Sequence, residues 1–174
     1  MNDIADDCID AVLTVTENLC PERQEAVALD DVNDFIPHSG SMALLDRIVD
    51  CDDQGLTAEL VVRSDGLFGD DQSVPAWAGI EYMAQTVAAY VGVKAKQANE
   101  PIRMGFLLGT RRYSSNVAVF KAGTALTIRV EKIIQDDGLG VFDCRIEGEN
   151  IEVTANLNVY QPPLDNAPIE NIAS

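Results

Sequence analysis

In the stretch 74-VPAWAGIEYMAQTVAAYVGV-93, Glu81 is the sole charged side chain between Asp71 and Lys94. A carboxylate near the start of so apolar a segment either does chemistry or is tied down by a neighbour. As chemistry it offers a proton donor or acceptor. As structure it would bond to a nearby strand or to Gln85, one helical turn later. The chain has one histidine, His38, so an imidazole–carboxylate pair within this chain has to use it. The alternative for His38 is a capping or loop residue. Arg111 and Arg112 offer guanidinium groups to a phosphate or an acidic partner. Against that, adjacent strand residues point to opposite faces, so only one of the two would serve.

The elements that must position these groups follow from periodicity. Pro75 suits a helix start, having no N–H to lose. A helix is predicted from Ala76 to Val93, with Trp77, Ile80, Met83, Ala84, Val87, Ala88 and Val91 at the spacing of one face. The other side carries Ala78, Gly79, Tyr82, Ala89, Tyr90 and Val93 rather than a polar face. A helix apolar nearly all round is buried nearly all round. The C-terminal half supplies the cover. The runs 124-TALTIRVEK-132, 141-VFDCRIE-147 and 151-IEVTANLNV-159 alternate with period two, as antiparallel strands with one buried face do. Residues 104-MGFLLGTRRY-113 and 116-NVAVF-120 add one or two strands. Upstream, a short helical turn stops before Pro37. A strand from Met42 to Cys51 and a second over 56-LTAELVVR-63 form a hairpin. One helix against one sheet buries an all-apolar helix only if the sheet curls around it, which points to an α+β fold. Part of the helix is expected to meet a second subunit.

The totals set bounds. A chain of 174 residues fits one domain. Residues 1–28 read as an acidic, partly disordered leader, 29–162 as the folded domain and 163–174 as a loose tail. The first 36 residues hold ten acids against Arg23 alone. A formal net charge of −17 excludes nucleic acid and anionic membrane surfaces as partners. Residues 94 to 132 nonetheless hold eight of the twelve basic residues and only two acids. Four scattered cysteines without a CxxC pair, with a single histidine, argue against a disulfide scaffold or a metal site. No apolar run of roughly 20 uncharged residues crosses a membrane and no secretory signal is visible, so the cytoplasm is the expected compartment.

The ordered set 37-PHSGSMALLDR-47, a Gly-rich loop, 79-GIEYMAQ-85 and 119-VFKAG-123 resembles the hot-dog-fold β-hydroxyacyl-acyl-carrier-protein dehydratases. Their Pro-His…Leu-Leu-x-Asp-Arg segment precedes a central helix bearing Glu-x-x-Ala-Gln, matched by Glu81, Ala84 and Gln85. The likeness spans roughly residues 30 to 160. It is closest to the branch found in aryl-polyene clusters, where Pro-Ala-Trp-x-Gly-Ile-Glu-Tyr is typical. The resemblance implies a curved antiparallel sheet around one long helix, and a homodimer or heterodimer of hot dogs. In each of the two interface sites a histidine of one subunit faces a carboxylate of the other. The substrate is a 3-hydroxyacyl thioester on the phosphopantetheine arm of an acyl carrier protein, with no cofactor or metal of the enzyme's own, and the product is a trans-2-enoyl thioester.

One departure matters. The family's catalytic histidine lies fourteen residues before the helix carboxylate, where this chain has Leu67. A dyad in this chain must then use His38 with Glu81. The N–H groups around Ala76 to Gly79 suit the carbonyl oxygen on which charge develops. Trp77 and Gln85 join the substrate-binding set, and Arg111 and Arg112 suit the phosphopantetheine phosphate or the carrier. Asp46 and Arg47 read as structural. Beside a dehydratase stand a non-catalytic subunit that stabilises an active partner and, more weakly, an acyl thioesterase.

Overall fold

A computed structural model describes residues 31–63 and 67–162. The expected leader and tail lie outside the described residues. The elements run β1 (Arg47–Cys51), β2 (Gly55–Val61), β3 (Ser73–Pro75), α1 (Gly79–Gln97), β4 (Phe106–Ser115), β5 (Val119–Lys121), β6 (Ala125–Asp136), β7 (Leu139–Gly148) and β8 (Ile151–Tyr160). Six strands form one antiparallel sheet in the order β1-β2-β6-β7-β8-β4, and β3 pairs separately with β5. The long helix packs on one face of that sheet, against β2, β6, β7 and β8. This is the α+β, hot-dog arrangement expected from the sequence.

Alternation decides which sheet face meets the helix. Leu126, Ile128 and Val130 of β6 are buried, as are Phe142, Cys144 and Ile146 of β7 and Val153, Ala155 and Leu157 of β8. Their neighbours Arg129, Asp143, Arg145 and Asn156 occupy the outer face. From the helix side, Met83, Val87, Ala89, Tyr90 and Val93 are buried, and no residue between Ala78 and Ala95 is exposed. Tyr90 meets Phe142 edge-on at 5.9 Å between ring centroids, and Tyr82 lies 6.1 Å from Phe120. The buried Thr86 hydroxyl donates to the Tyr82 carbonyl one turn earlier, so it leaves no unpaired polar group.

The boundaries differ from expectation in three places. First, β1 starts at Arg47 rather than Met42. Residues Gly40–Met42 form a 3-10 turn, and the backbone groups of Met42, Ala43 and Leu44 bond to side chains of Gln85 and Arg63 instead of a strand. Second, the helix opens with a 3-10 turn, Ala76–Ala78, and ends at Gln97, four residues beyond expectation. Lys94 and Lys96 lie in its last turn, where positive charge suits the dipole. The chain then leaves the helix through Asn99 at φ 57°, with the Glu100 N–H donating to the Ala95 carbonyl. Third, β6 and β7 extend to a two-residue turn, Asp137-Gly138, with φ of 44° and 80°. Both residues left-handed is what a tight hairpin requires.

Among the described cysteines, burial pushes the Cys144 thiol up to about 12 and the Cys51 thiol up as well, so both are poor nucleophiles. No helix among the described residues is long and apolar enough to cross a membrane.

The N-terminal segment closes the helix from the other side. The 3-10 turn Val32–Asp34 is capped by the Asp31 carboxylate, which accepts from the Asn33 N–H at 2.9 Å. It sets Phe35 against α1, where a Cβ added at Gly92 would lie 1.9 Å from the Phe35 carbonyl oxygen. Alanine favours a helix interior by about 1 kcal/mol over glycine. A clash with backbone cannot be relieved by a rotamer change, and overpacking costs about 1–3 kcal/mol. Gly92→Ala is therefore expected to lower the urea midpoint at unchanged m-value. An unchanged or higher midpoint would show that Phe35 does not pack there.

Candidate functional site

Glu81 sits in the first turn of α1, and His38 sits on the loop just before the 3-10 turn Gly40–Met42. His38 Nε2 lies 3.8 Å from Glu81 Oε1, with each side chain 28% exposed. The pair thus meets within one chain, whereas the resemblance implied a histidine and a carboxylate from different subunits. The His38 Nδ1 atom is buried without a hydrogen-bond partner among the described residues. Glu81 is half-buried at the N-terminal end of a 19-residue helix, and the dipole of that end favours negative charge.

The loop that carries His38 is held at consecutive residues. Gln85, wholly buried, donates from Nε2 to the Met42 carbonyl at 2.7 Å and accepts at Oε1 from the Leu44 N–H at 2.9 Å. Arg63 donates to the Ala43 carbonyl. Asp46 accepts from the Val61 N–H at 2.6 Å. The same Gln85 amide donates to Glu81 Oε1 at 2.9 Å. The carboxylate is therefore tied to Gln85, as the structural alternative has it, and still faces an imidazole.

Several expected contacts differ. The Ala76 N–H donates to the Ala118 carbonyl at 2.9 Å, and the Gly79 N–H turns back to Ala76 and Trp77 carbonyls. Neither N–H is free in this chain for a substrate oxygen, because the 3-10 turn and the β3–β5 ribbon engage both. Gly79 serves closeness instead: a Cβ there would lie 2.8 Å from the Tyr113 hydroxyl and 2.9 Å from Ile146 Cδ1. Trp77 leaves the core. It is 58% exposed, its ring edge-on to Phe68 at 6.1 Å. Gln85 bonds to protein at both ends of its amide, so it is a clamp rather than a substrate contact.

The arginines are not brought to the pair. On β4, Arg112 stands opposite Asn156 while the adjacent Tyr113 reaches the helix, so Arg112 projects to the outer sheet face. There it lines an open depression of about 470 Å³ with Arg129 and Arg145. Arg129 is bound by Asp52 at 3.0 Å and Arg145 by Glu152 at 2.9 Å, so acids already neutralise most of that basic patch. Arg111 lies exposed at a bulge in β4. A smaller space of about 10 Å³, room for one water, lies beneath the histidine loop among Leu44, Phe68, Val74 and Tyr82.

Two residues at the site escaped the sequence reading. Arg63 carries no pattern that singles it out. Tyr113 was legible in principle, as an aromatic at an inward position of an alternating strand. Its hydroxyl donates to the Ala76 carbonyl, fastening the start of the helix, and burial with the neighbouring Tyr82 pushes the phenol up to about 12. Tyr113→Phe removes that donor and leaves the Ala76 carbonyl only its bond from the Gly79 N–H, at a cost of about 0.5–1.5 kcal/mol. The expected result is a lower thermal midpoint, and a midpoint equal to wild type would remove Tyr113 from the set that fastens the helix.

Comparison with known proteins agrees with this fold. The family model described as ApeP-like, ApeP dehydratase, matches residues 30–170. Among solved structures, a chain of the dehydratase heterocomplex ApeI:P from Xenorhabdus doucetiae is 30% identical, with a TM-score of 0.72. The match covers 77% of this chain and 92% of that one. Cj0977, a sigma28-regulated virulence protein of Campylobacter jejuni, matches at 15% identity and a TM-score of 0.51 over 80% of this chain and 94% of that one, which shows the fold alone. A hypothetical thioesterase of Streptococcus pneumoniae, solved with coenzyme A, matches at 16% identity and a TM-score of 0.48, over 66% of this chain and 84% of that one. No curated protein matches. On the span of the family model and the likeness to the Xenorhabdus structure, this chain belongs to the ApeP-like dehydratase family.

Proposed function

We propose that this chain dehydrates 3-hydroxyacyl thioesters carried on the phosphopantetheine arm of an acyl carrier protein, within a dimer of hot-dog subunits. The observation that carries the reading is the His38–Glu81 pair, 3.8 Å apart at the start of the buried helix of a dehydratase-family chain. The elimination takes a proton from the carbon beside the thioester carbonyl and expels the hydroxyl from the next carbon. Neutral His38 accepts the α-proton at Nε2 as that C–H pair becomes the new double bond. Protonated Glu81 gives its proton to the departing hydroxyl, which leaves as water. The two groups end as an imidazolium and a carboxylate side by side, a charge pair whose closeness favours the products of proton transfer. Loss of the proton from His38 to solvent and its regain by Glu81 restore the starting state.

A second subunit supplies what the single chain lacks. Ile80, Ala84, Ala88 and Val91 form a half-buried stripe of α1. On the edge strand β4, Phe106, Leu107 and Leu108 are 41–60% exposed. The 10 Å³ space at the loop does not hold an acyl chain. A hot-dog partner along β4 would cover both surfaces and wall a tunnel, and the likeness to one chain of a heterocomplex supports a partner of different sequence. Leu67, in place of the family's loop histidine, favours a second reading in which this chain stabilises an active partner and does no chemistry itself.

Assay of the purified protein with 3-hydroxyacyl carrier protein, alone and with a second hot-dog subunit, separates the two. Catalysis at His38 and Glu81 predicts that His38→Ala and Glu81→Gln each lower kcat by about 10²–10⁴-fold. Turnover by the complex that both substitutions leave intact would assign the chemistry to the partner.

A further inference from the structure

The Gln85 carboxamide has both its donor nitrogen and its acceptor oxygen engaged, and those bonds fix its orientation. The Met42 carbonyl can only accept and the Leu44 N–H can only donate, so the NH₂ faces Met42 and the oxygen faces Leu44. Turning the amide over would set oxygen against carbonyl and NH₂ against N–H. Glu81 Oε1 therefore meets a donor at 2.9 Å and never an acceptor. The unprotonated oxygen of a carboxyl group is the better acceptor for that N–H, so the exchangeable proton of Glu81 belongs on Oε2. The same Oε1 faces His38 Nε2. One buried side chain thus touches both halves of the pair, Glu81 directly and His38 through the loop whose residues 42 and 44 it grips.

We propose that Gln85 is a positioning residue, which sets the His38–Glu81 separation by locking the histidine loop to α1 and confines the exchangeable proton of Glu81 to Oε2. Its structural part stands on geometry alone, while its kinetic part rests on the dehydratase reading.

The test uses the full chain with Gln85→Leu and Gln85→Glu. His38 is the single histidine, so diethyl pyrocarbonate modification reports one site without ambiguity. Gln85→Leu is expected to speed that modification and to raise deuterium uptake over residues 40–46, with uptake in β6–β8 unchanged. Neither measurement needs substrate. In the active dimer, losing the bond to Glu81 together with the two that hold the loop is expected to lower kcat at least about tenfold with KM little changed. Gln85→Glu keeps an acceptor for the Leu44 N–H but sets a second carboxylate against Glu81. Two like charges sharing one site hold a proton more tightly, so the alkaline limb of the kcat profile, on which Glu81 loses the proton it donates, moves to higher pH by about one unit. A residue that did not face Glu81 would not move that limb. If Gln85→Leu misfolds, Gln85→Met, unbranched and of similar length, carries the same measurements. Wild-type modification and deuterium uptake in these variants overturn the proposal, whatever the turnover. Loosening of the loop in a protein that shows no turnover with any partner upholds the positioning role and sinks the dehydratase reading instead.

Discussion

Everything in this molecule answers to one constraint: a helix of nineteen residues that has no polar face. Between Ala78 and Ala95 no side chain is fully exposed, and each large apolar group returned to water would forfeit roughly 1.5–3 kcal/mol of burial. The sheet supplies cover along β2, β6, β7 and β8, and the segment from Val32 to Leu45 supplies it from another side. Glu81 is acceptable in this setting because it lies at the start of the helix, half in water, with Gln85 below it and His38 beside it.

The covering segment is also the reason the site exists. Residues 38–46 do not continue as a strand, because Gln85, Arg63 and Asp46 make most of their bonds one residue at a time. A strand at that place would have turned alternate residues to opposite faces and paired its backbone with β2. The clamped loop instead delivers an imidazole to the helix start. Packing and chemistry are in that sense one arrangement: the groups that seal the helix are the groups that aim the histidine.

How much of this was legible depended on whether a feature was local or tertiary. The central helix and the three long strands showed in the spacing of Met83 and Val87 and in the alternation of Ile128, Cys144 and Val153. Glu81 stood out as a lone charge. His38 could be named but not placed, because its position is set by bonds from residues 25 and 47 places away along the chain. Trp77 was misread as part of the buried face because the first turn is 3-10, which rotates the residues before Gly79 off the helical spacing. Ala76 and Gly79 looked like free donors because no sequence pattern reveals that Ala118 and the turn itself take up their N–H groups. The basic cluster between residues 94 and 132 dispersed for a similar reason, since its acids, Asp34, Asp52 and Asp53 among them, come from the other end of the chain.

The order of elements has a consequence for synthesis. The helix leaves the ribosome before most of its cover, because β6, β7 and β8 are encoded after it. At about 5–20 residues per second, several seconds pass between Ala95 and Tyr160. During that interval the apolar helix has only the β1–β2 hairpin and the Val32–Leu45 segment to lean on. The meander from β6 to β8, with its Asp137-Gly138 turn, is the part able to fold from local contacts once it emerges. Its arrival covers the helix face that the nascent chain had left open to water.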